Sequence, residues 1–174
     1  MNPTPKLRVG ISSCLRGNDV RYDGSNRLNL PILEGFQELV EWVTLCPEAD
    51  AGFGVPRETI VLVGNPKAPR VETTGTRLNK TEALSNHCQK EVAALKKLNL
   101  AGFILKARSP SCGPRVSITL NDGSTFPDGQ GIFVAELRKA FPALPLATEE
   151  ELQTPSSRNQ FIEDMRRYIA SSAP

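Results

Sequence analysis

Residues 7–14 read LRVGISSC and residues 102–113 read GFILKARSPSCG. In both, a short apolar run gives way to small polar residues and then to a cysteine. An apolar run of this length, bounded by turn-forming residues, is the signature of a buried strand that ends in a loop. Residues 42–46 (WVTLC) repeat the pattern and stop at Pro47, and residues 59–63 (TIVLV) are apolar and β-branched, a further strand. Helical spacing alternates with these runs. Residues 32–40 form a weak helix interrupted by Gly35. Residues 79–98 form the clearest one, with Leu84, Cys88, Val92, Leu95 and Leu98 on one stripe, Asn79 or Thr81 as N-cap and Asn99 as a stop. Residues 116–120 and 125–126, joined through Asn121-Asp122-Gly123, read as a β-hairpin. A helix over 131–141 is stopped by Pro142, residues 144–147 suggest a last strand, and residues 157–169 close the chain as an amphipathic helix carrying Phe161, Ile162, Met165 and Ile169. Strands alternating with helices predict an α/β fold: one sandwich with a mostly parallel central sheet flanked by helices, plus a small hairpin. No repeat or linker interrupts residues 1–174, which read as one domain.

The composition agrees with such a fold. A chain of 174 residues, 39% hydrophobic and 23% charged, buries a core without disulfide staples and is neither a disordered tail nor a membrane protein. No apolar run approaches the roughly 18–20 residues of a membrane span. The opening MNPTPK has no apolar stretch resembling an export signal, so a cytoplasmic location is expected. With 21 basic against 19 acidic side chains the formal charge is +2. Large nucleic acids are therefore not expected as partners, and anion recognition must be local.

The cysteines carry the chemistry. Without an export signal, four of them do not suggest a disulfide framework, and no CxxC pair offers a zinc ribbon or a thioredoxin motif. Cys14, Cys46 and Cys112 share one context: each ends a strand-like run and opens a segment with glycine or proline. In a parallel sheet the C-terminal strand ends gather on one edge, where open α/β folds place ligands. Three thiols meeting there can ligate zinc or an iron–sulfur cluster, and three strand-end cysteines can equally be buried spacers. Cys88, on the apolar stripe of the long helix, reads as a small hydrophobe. His87 is the one histidine, which excludes a multi-histidine site, and its helix-flank position reads as a solvated or capping side chain. A cube with three cysteine ligands would leave one iron open as a Lewis acid.

Other polar residues surround these motifs. Glu48 lies two residues past Cys46, and burial beside a cluster would raise its pKa and suit it to proton transfer. Ser12, Ser13, Ser109 and Ser111 flank two of the cysteines and can bind a ligand or stabilise turns. Arg16, Arg21, Lys106, Arg108 and Arg115 stand near the same loops and can hold a phosphate or remain solvated.

Read as whole segments, GISSCLRGNDVRYDG, VTLCPEADAGFGVPRE with VLVGNPKAPRV, and GFILKARSPSCGPRVS resemble the thiouracil desulfidase family, and GQGIFVAELRKAFPALPL with NQFIEDMRRY extends the likeness over nearly the whole chain. The resemblance implies a 4Fe–4S cluster held by Cys14, Cys46 and Cys112 with one open iron, and Cys88 matches no motif. It implies Glu48 and Ser109 as catalytic helpers; Ser12, Ser13, Arg16, Arg21, Arg108 and Ser111, from their places beside the motifs, are expected around the substrate. It further implies non-redox desulfuration of thiolated pyrimidines (thiouracil, 4-thiouridine or its monophosphate) to the oxo form, with release of hydrogen sulfide. Some relatives carry a second C-terminal domain, and this chain reads as a stand-alone member. A sulfur or iron–sulfur carrier without thiobase turnover is the rival expectation.

Overall fold

A computed structural model describes residues 5–172. The opening stretch, read above as free of an export signal, lies outside the described residues through Thr4. Strand β1 (Leu7–Ser12) is the centre of the molecule. It pairs in parallel with β2 (Val40–Leu45) on one side and with β5 (Gly102–Leu105) on the other. Strand β8 (Leu146–Thr148) adds in parallel to β5, giving the order β2-β1-β5-β8. This sheet is parallel throughout, as its apolar strands and helical crossovers require.

Both faces of the sheet are covered. On β5, Phe103 and Leu105 point to one apolar cluster and Ile104 to the other, the two-residue alternation of a strand buried on both sides. Helices α3 (Thr81–Leu95) and α4 (Ile132–Ala140) cover the first face through Leu84, Cys88, Val92, Phe133 and Leu137. Phe103 and Phe133 meet edge to face, with centroids 5.3 Å apart. Helices α1 (Leu30–Phe36) and α5 (Pro155–Ser172) cover the second face through Ile32, Phe36, Phe161, Ile162 and Met165.

Gly10 shows how closely this centre packs. A Cβ at Gly10 would fall 2.1 Å from Phe103 Cδ2. Gly10→Ala is expected to cost about 1–3 kcal/mol through overpacking. Denaturant titration with an unchanged m-value would show the loss as a lower midpoint.

A second sheet holds the remaining strands. It runs β4 (Ala68–Thr73), β3 (Ile60–Asn65), β6 (Val116–Thr119), β7 (Thr125–Gly129). Strand β3 is antiparallel to β4 and parallel to β6, and β6 is antiparallel to β7. The expected hairpin is therefore half of a four-stranded mixed sheet, and the strand expected at 59–63 belongs to that sheet rather than to the parallel one. Strand β4 was not anticipated. Its sequence APRVET is polar with a proline, which suits an edge strand burying only Val71 and Thr73.

The helix expected over 32–40 instead ends at Phe36, because Val40 pairs with Leu7 in the ladder of β1 and β2. Its start is set by Asn29, whose Oδ1 accepts from the Ile32 amide at 3.2 Å. Helix α3 stops at Leu95 with Lys96 as its C-cap, short of the expected Leu98, and Asn99, the expected stop, lies beyond that end in the left-handed conformation with φ 52°. No helix among the described residues is long and apolar enough to cross a membrane.

Candidate active site at the carboxyl edge of the parallel sheet

The topology fixes the site. Strand β1 sits between β2 and β5, so connections leaving its C-terminal end and those of its neighbours open onto a common crevice. A cleft of about 400 Å³ lies there. Cys14 enters it from the 3-10 turn (Ser13–Arg16) that follows β1. Cys46 enters from the residue after β2, and Cys112 from the loop after β5. Cys88 lies instead in the core beneath α3 and does not line the cleft.

Local hydrogen bonds hold each thiol in place. The Cys46 amide donates to Asp50 Oδ2 at 2.8 Å, fixing the first turn of the short helix α2 (Pro47–Asp50). The Cys112 amide donates to Ser109 Oγ at 3.1 Å, and the Gly113 amide to the Ser109 carbonyl at 2.7 Å. Arg27 N donates to the Cys14 carbonyl at 2.8 Å. Burial pushes the Cys14 thiol up to about 11, reinforced by Cys46 beside it. Burial likewise raises Cys46, and it raises Cys112 well above the ordinary thiol value, with Cys46 again contributing. All three cysteines line the same cleft.

Their spacing matters for what they can hold. Among the described residues, three donor atoms within 4.8 Å of one another occur at Asp50, His87 and Glu91, not at the cysteines. The three thiols are therefore set wider than a single-ion tetrahedral site needs. An all-thiolate donor set with this wide spacing fits a polynuclear iron–sulfur centre better than mononuclear zinc.

Glu48, at the second position of α2, is buried against the same space. Its Oε1 accepts from Ser111 Oγ at 2.8 Å, and its Oε2 from Arg57 Nε at 3.0 Å. Ser111 in turn lies 3.1 Å from Ser109. The burial expected of Glu48 is present, but a guanidinium answers it, and Arg57 is itself 7% exposed. Arg57 also donates to the carbonyls of Val20 and Gly54, both at 2.9 Å, so it ties the carboxylate to the two loops at the cleft wall. Arg57 was missed in the sequence, since nothing in GVPRE distinguishes it from a solvated arginine.

The other expected residues divide. Ser12 Oγ accepts from the Lys106 amide at 2.9 Å, joining the ends of β1 and β5, and Ser13 Oγ accepts from Asn18 Nδ2 at 2.8 Å. Arg21 lines the cleft, and its Nε is shielded from solvent with no hydrogen-bond partner. Arg108 also lines it, in the left-handed conformation with φ 60°, and pairs with Glu150. Arg16 does not reach the cleft; its Nη1 donates to Thr44 Oγ1 at 3.2 Å. Arg115 also lies off this cleft and pairs with Asp128 at 3.0 Å. Lys106 stands in the cleft wall against Glu149, which also accepts from the Ala107 amide at 2.7 Å. Tyr22 and Arg27 join the lining without having been singled out in the sequence. His87, expected to be solvated, has an Nε2 that solvent does not reach.

The family model of 2-thiouracil desulfurase matches residues 9–150, which span every side chain just described. The chain belongs to the 2-thiouracil desulfurase family. Among its relatives, the uncharacterized protein YbbK of Bacillus subtilis (strain 168) is 32% identical over 140 residues, covering 75% of this chain and 89% of that protein. Among solved structures, the [4Fe-4S]-dependent thiouracil desulfidase TudS superposes with a TM-score of 0.72 at 24% identity, covering 91% of this chain and 99% of TudS. That likeness establishes the same α/β fold.

Proposed function

We propose that this desulfurase converts thiolated pyrimidines to their oxo forms with water, releasing hydrogen sulfide, at a 4Fe–4S cluster held by Cys14, Cys46 and Cys112. The single observation that carries the reading is the convergence of these three thiols with Glu48 in one cleft. The donor set is all thiolate, wider than a single-ion site, and bordered by the hydroxyl of Ser111, whose Oγ lies 3.8 Å from Cys112 Sγ. When bound, a cluster with three protein ligands supplies an iron able to polarise a carbon–sulfur bond.

The chain's own residues supply the rest. Glu48, paired with Arg57 at 3.0 Å, accepts a proton from the attacking water at Oε1. Ser111 already bonds that oxygen, and Ser109 stands one hydroxyl further on, so the pair can return the proton toward the departing sulfur. The reaction exchanges a thiocarbonyl sulfur for a water oxygen and needs no reductant. Arg21, Arg27, Lys106 and Arg108 line the cleft and offer donors to an anionic nucleotide, although Asp23, Glu149 and Glu150 already pair with three of them. Arg21 lines the cleft with its Nε 3.9 Å from Asp23 Oδ1 and without a hydrogen bond, so its guanidinium can also answer a phosphate oxygen. A cleft of about 400 Å³ fits a free base or a nucleotide better than folded RNA.

Loading the cluster should depend on pH in a defined direction. All three thiols are raised above their ordinary value, so the unloaded chain holds them protonated at neutral pH. Cluster assembly must displace those protons. Reconstitution followed by absorbance is expected to become more complete from about pH 6.5 to about pH 8.5, the sense required when the metal competes with protons for the ligands.

Anaerobically reconstituted protein incubated with 2-thiouracil, 4-thiouracil, 4-thiouridine and 4-thiouridine monophosphate, with released sulfide measured, tests the reading. Sulfide from any of them supports the desulfidase, and a preference for the monophosphate assigns the cationic rim to a phosphate. A fully loaded cluster with no release from all four would assign the chain to carrying the cluster or sulfur instead.

A further inference from the structure

Outside the cysteine cleft, Asp50, His87 and Glu91 bring one imidazole nitrogen and two carboxylates within 4.8 Å of one another. We propose that this juxtaposition is a second metal site, for a divalent transition ion with mixed nitrogen and oxygen donors. Asp50 is the last residue of α2, while His87 and Glu91 lie one helical turn apart on α3. Three donors from two elements therefore meet at the junction of α2 and α3.

Two features separate this cluster from an ordinary surface ion pair. First, His87 Nε2 is shielded from solvent and lies 3.2 Å from Glu91 Oε2, yet has no aligned hydrogen-bond partner. A shielded ring nitrogen that faces carboxylate oxygens without an aligned hydrogen bond can, in the Nδ1-protonated tautomer, turn its lone pair to a cation held between them. Second, among the described residues neither Asp50 nor Glu91 forms an ion pair with a lysine or arginine, and His87 pairs with Glu91 at 3.2 Å. With a neutral imidazole the cluster carries two uncompensated negative charges, matching a dication. One imidazole with two carboxylates and no thiolate suits manganese, iron or zinc in the divalent state.

The site also has a structural consequence. Asp50 Oδ2 accepts from the Cys46 amide at 2.8 Å, and a carboxylate oxygen retains capacity for a metal while doing so. An ion there clasps α3 to the turn that carries Cys46 and Glu48. It would stabilise that turn without entering the cleft.

Cluster-loaded protein titrated with Mn²⁺ tests the proposal, because thiolates compete poorly for this ion. Free Mn²⁺ is read by its solution electron paramagnetic resonance signal, and the thermal midpoint is followed in parallel. The wild-type chain is expected to take up one Mn²⁺ and to gain thermal stability. H87A and E91Q, both on a partly exposed helix face, are expected to bind at least about tenfold more weakly and to show no Mn²⁺-dependent gain. E82Q, an exposed change on the same helix, is expected to bind like wild type. Failure of wild type to bind Mn²⁺, or equal binding by H87A and E91Q, would overturn the site. Mn²⁺ uptake does not require turnover, so this outcome is independent of the desulfidase reading.

Discussion

Replacing Cys14, Cys46 or Cys112 by alanine is expected to abolish the cluster and all sulfide release, whereas Cys88→Ser is expected to keep both. The three cleft thiols sit on three different loops, each fixed by its own backbone bonds, so removal of one leaves the others in place but no three-ligand set. Two protein ligands do not hold a cube whose irons otherwise meet solvent. Iron and labile sulfide should therefore fall to background in each single variant, with the parallel sheet intact by circular dichroism. Cys88 lies in the core between Leu84 and Val92, and burial pushes its thiol up to about 12. A hydroxyl in that apolar setting costs stability, about 1–3 kcal/mol, but touches no ligand. Retention of a full cluster by any of the three cleft variants would remove that residue from the ligand set.

Glu48→Gln is expected to leave the cluster loaded and to slow turnover by about 10²–10⁴-fold, the range of a lost general base. Glutamine fills the same space and can still bond either Arg57 or Ser111, but it accepts no proton. Because it leaves the buried guanidinium of Arg57 without its counter-charge, a lowered thermal midpoint accompanies the kinetic loss. Iron content separates the two effects: a normal cluster with slow turnover places Glu48 in the chemistry. Normal turnover would move water activation to another ionisable group lining the cleft, such as Lys106 beside Glu149.

What the sequence made legible follows from the range of the interactions involved. The strand-end cysteines were readable because their context is local: an apolar run, a small-residue stop and a thiol lie within a dozen residues. Parallel strands then bring such ends to one edge whatever their separation along the chain. Cys88 was readable for the same reason, since helical spacing placed it among Leu84 and Val92.

The second sheet was not readable as a sheet. Its pairing of β3 with β6 joins residues such as Leu62 and Ile118, far apart in the chain, and its edge strand carries Pro69 and three polar residues. Arg57 was equally hidden. Its importance comes from meeting Glu48 and the Val20 carbonyl in space, and no periodicity marks that meeting. Arg16, by contrast, stood close to Cys14 in sequence yet bonds Thr44 outside the cleft. Proximity along the chain was a poor guide for long charged side chains, which reach in directions that only the fold decides. The same holds for His87, whose partners Asp50 and Glu91 come from two elements.

The most direct measurement is the balance of products from cluster-loaded protein under anaerobic conditions with no reductant added. Non-redox desulfuration requires one sulfide released for each oxo-pyrimidine formed, over many turnovers, with the iron content unchanged at the end. Sulfide released only once per cluster, or turnover that begins only when a reductant is supplied, would contradict it.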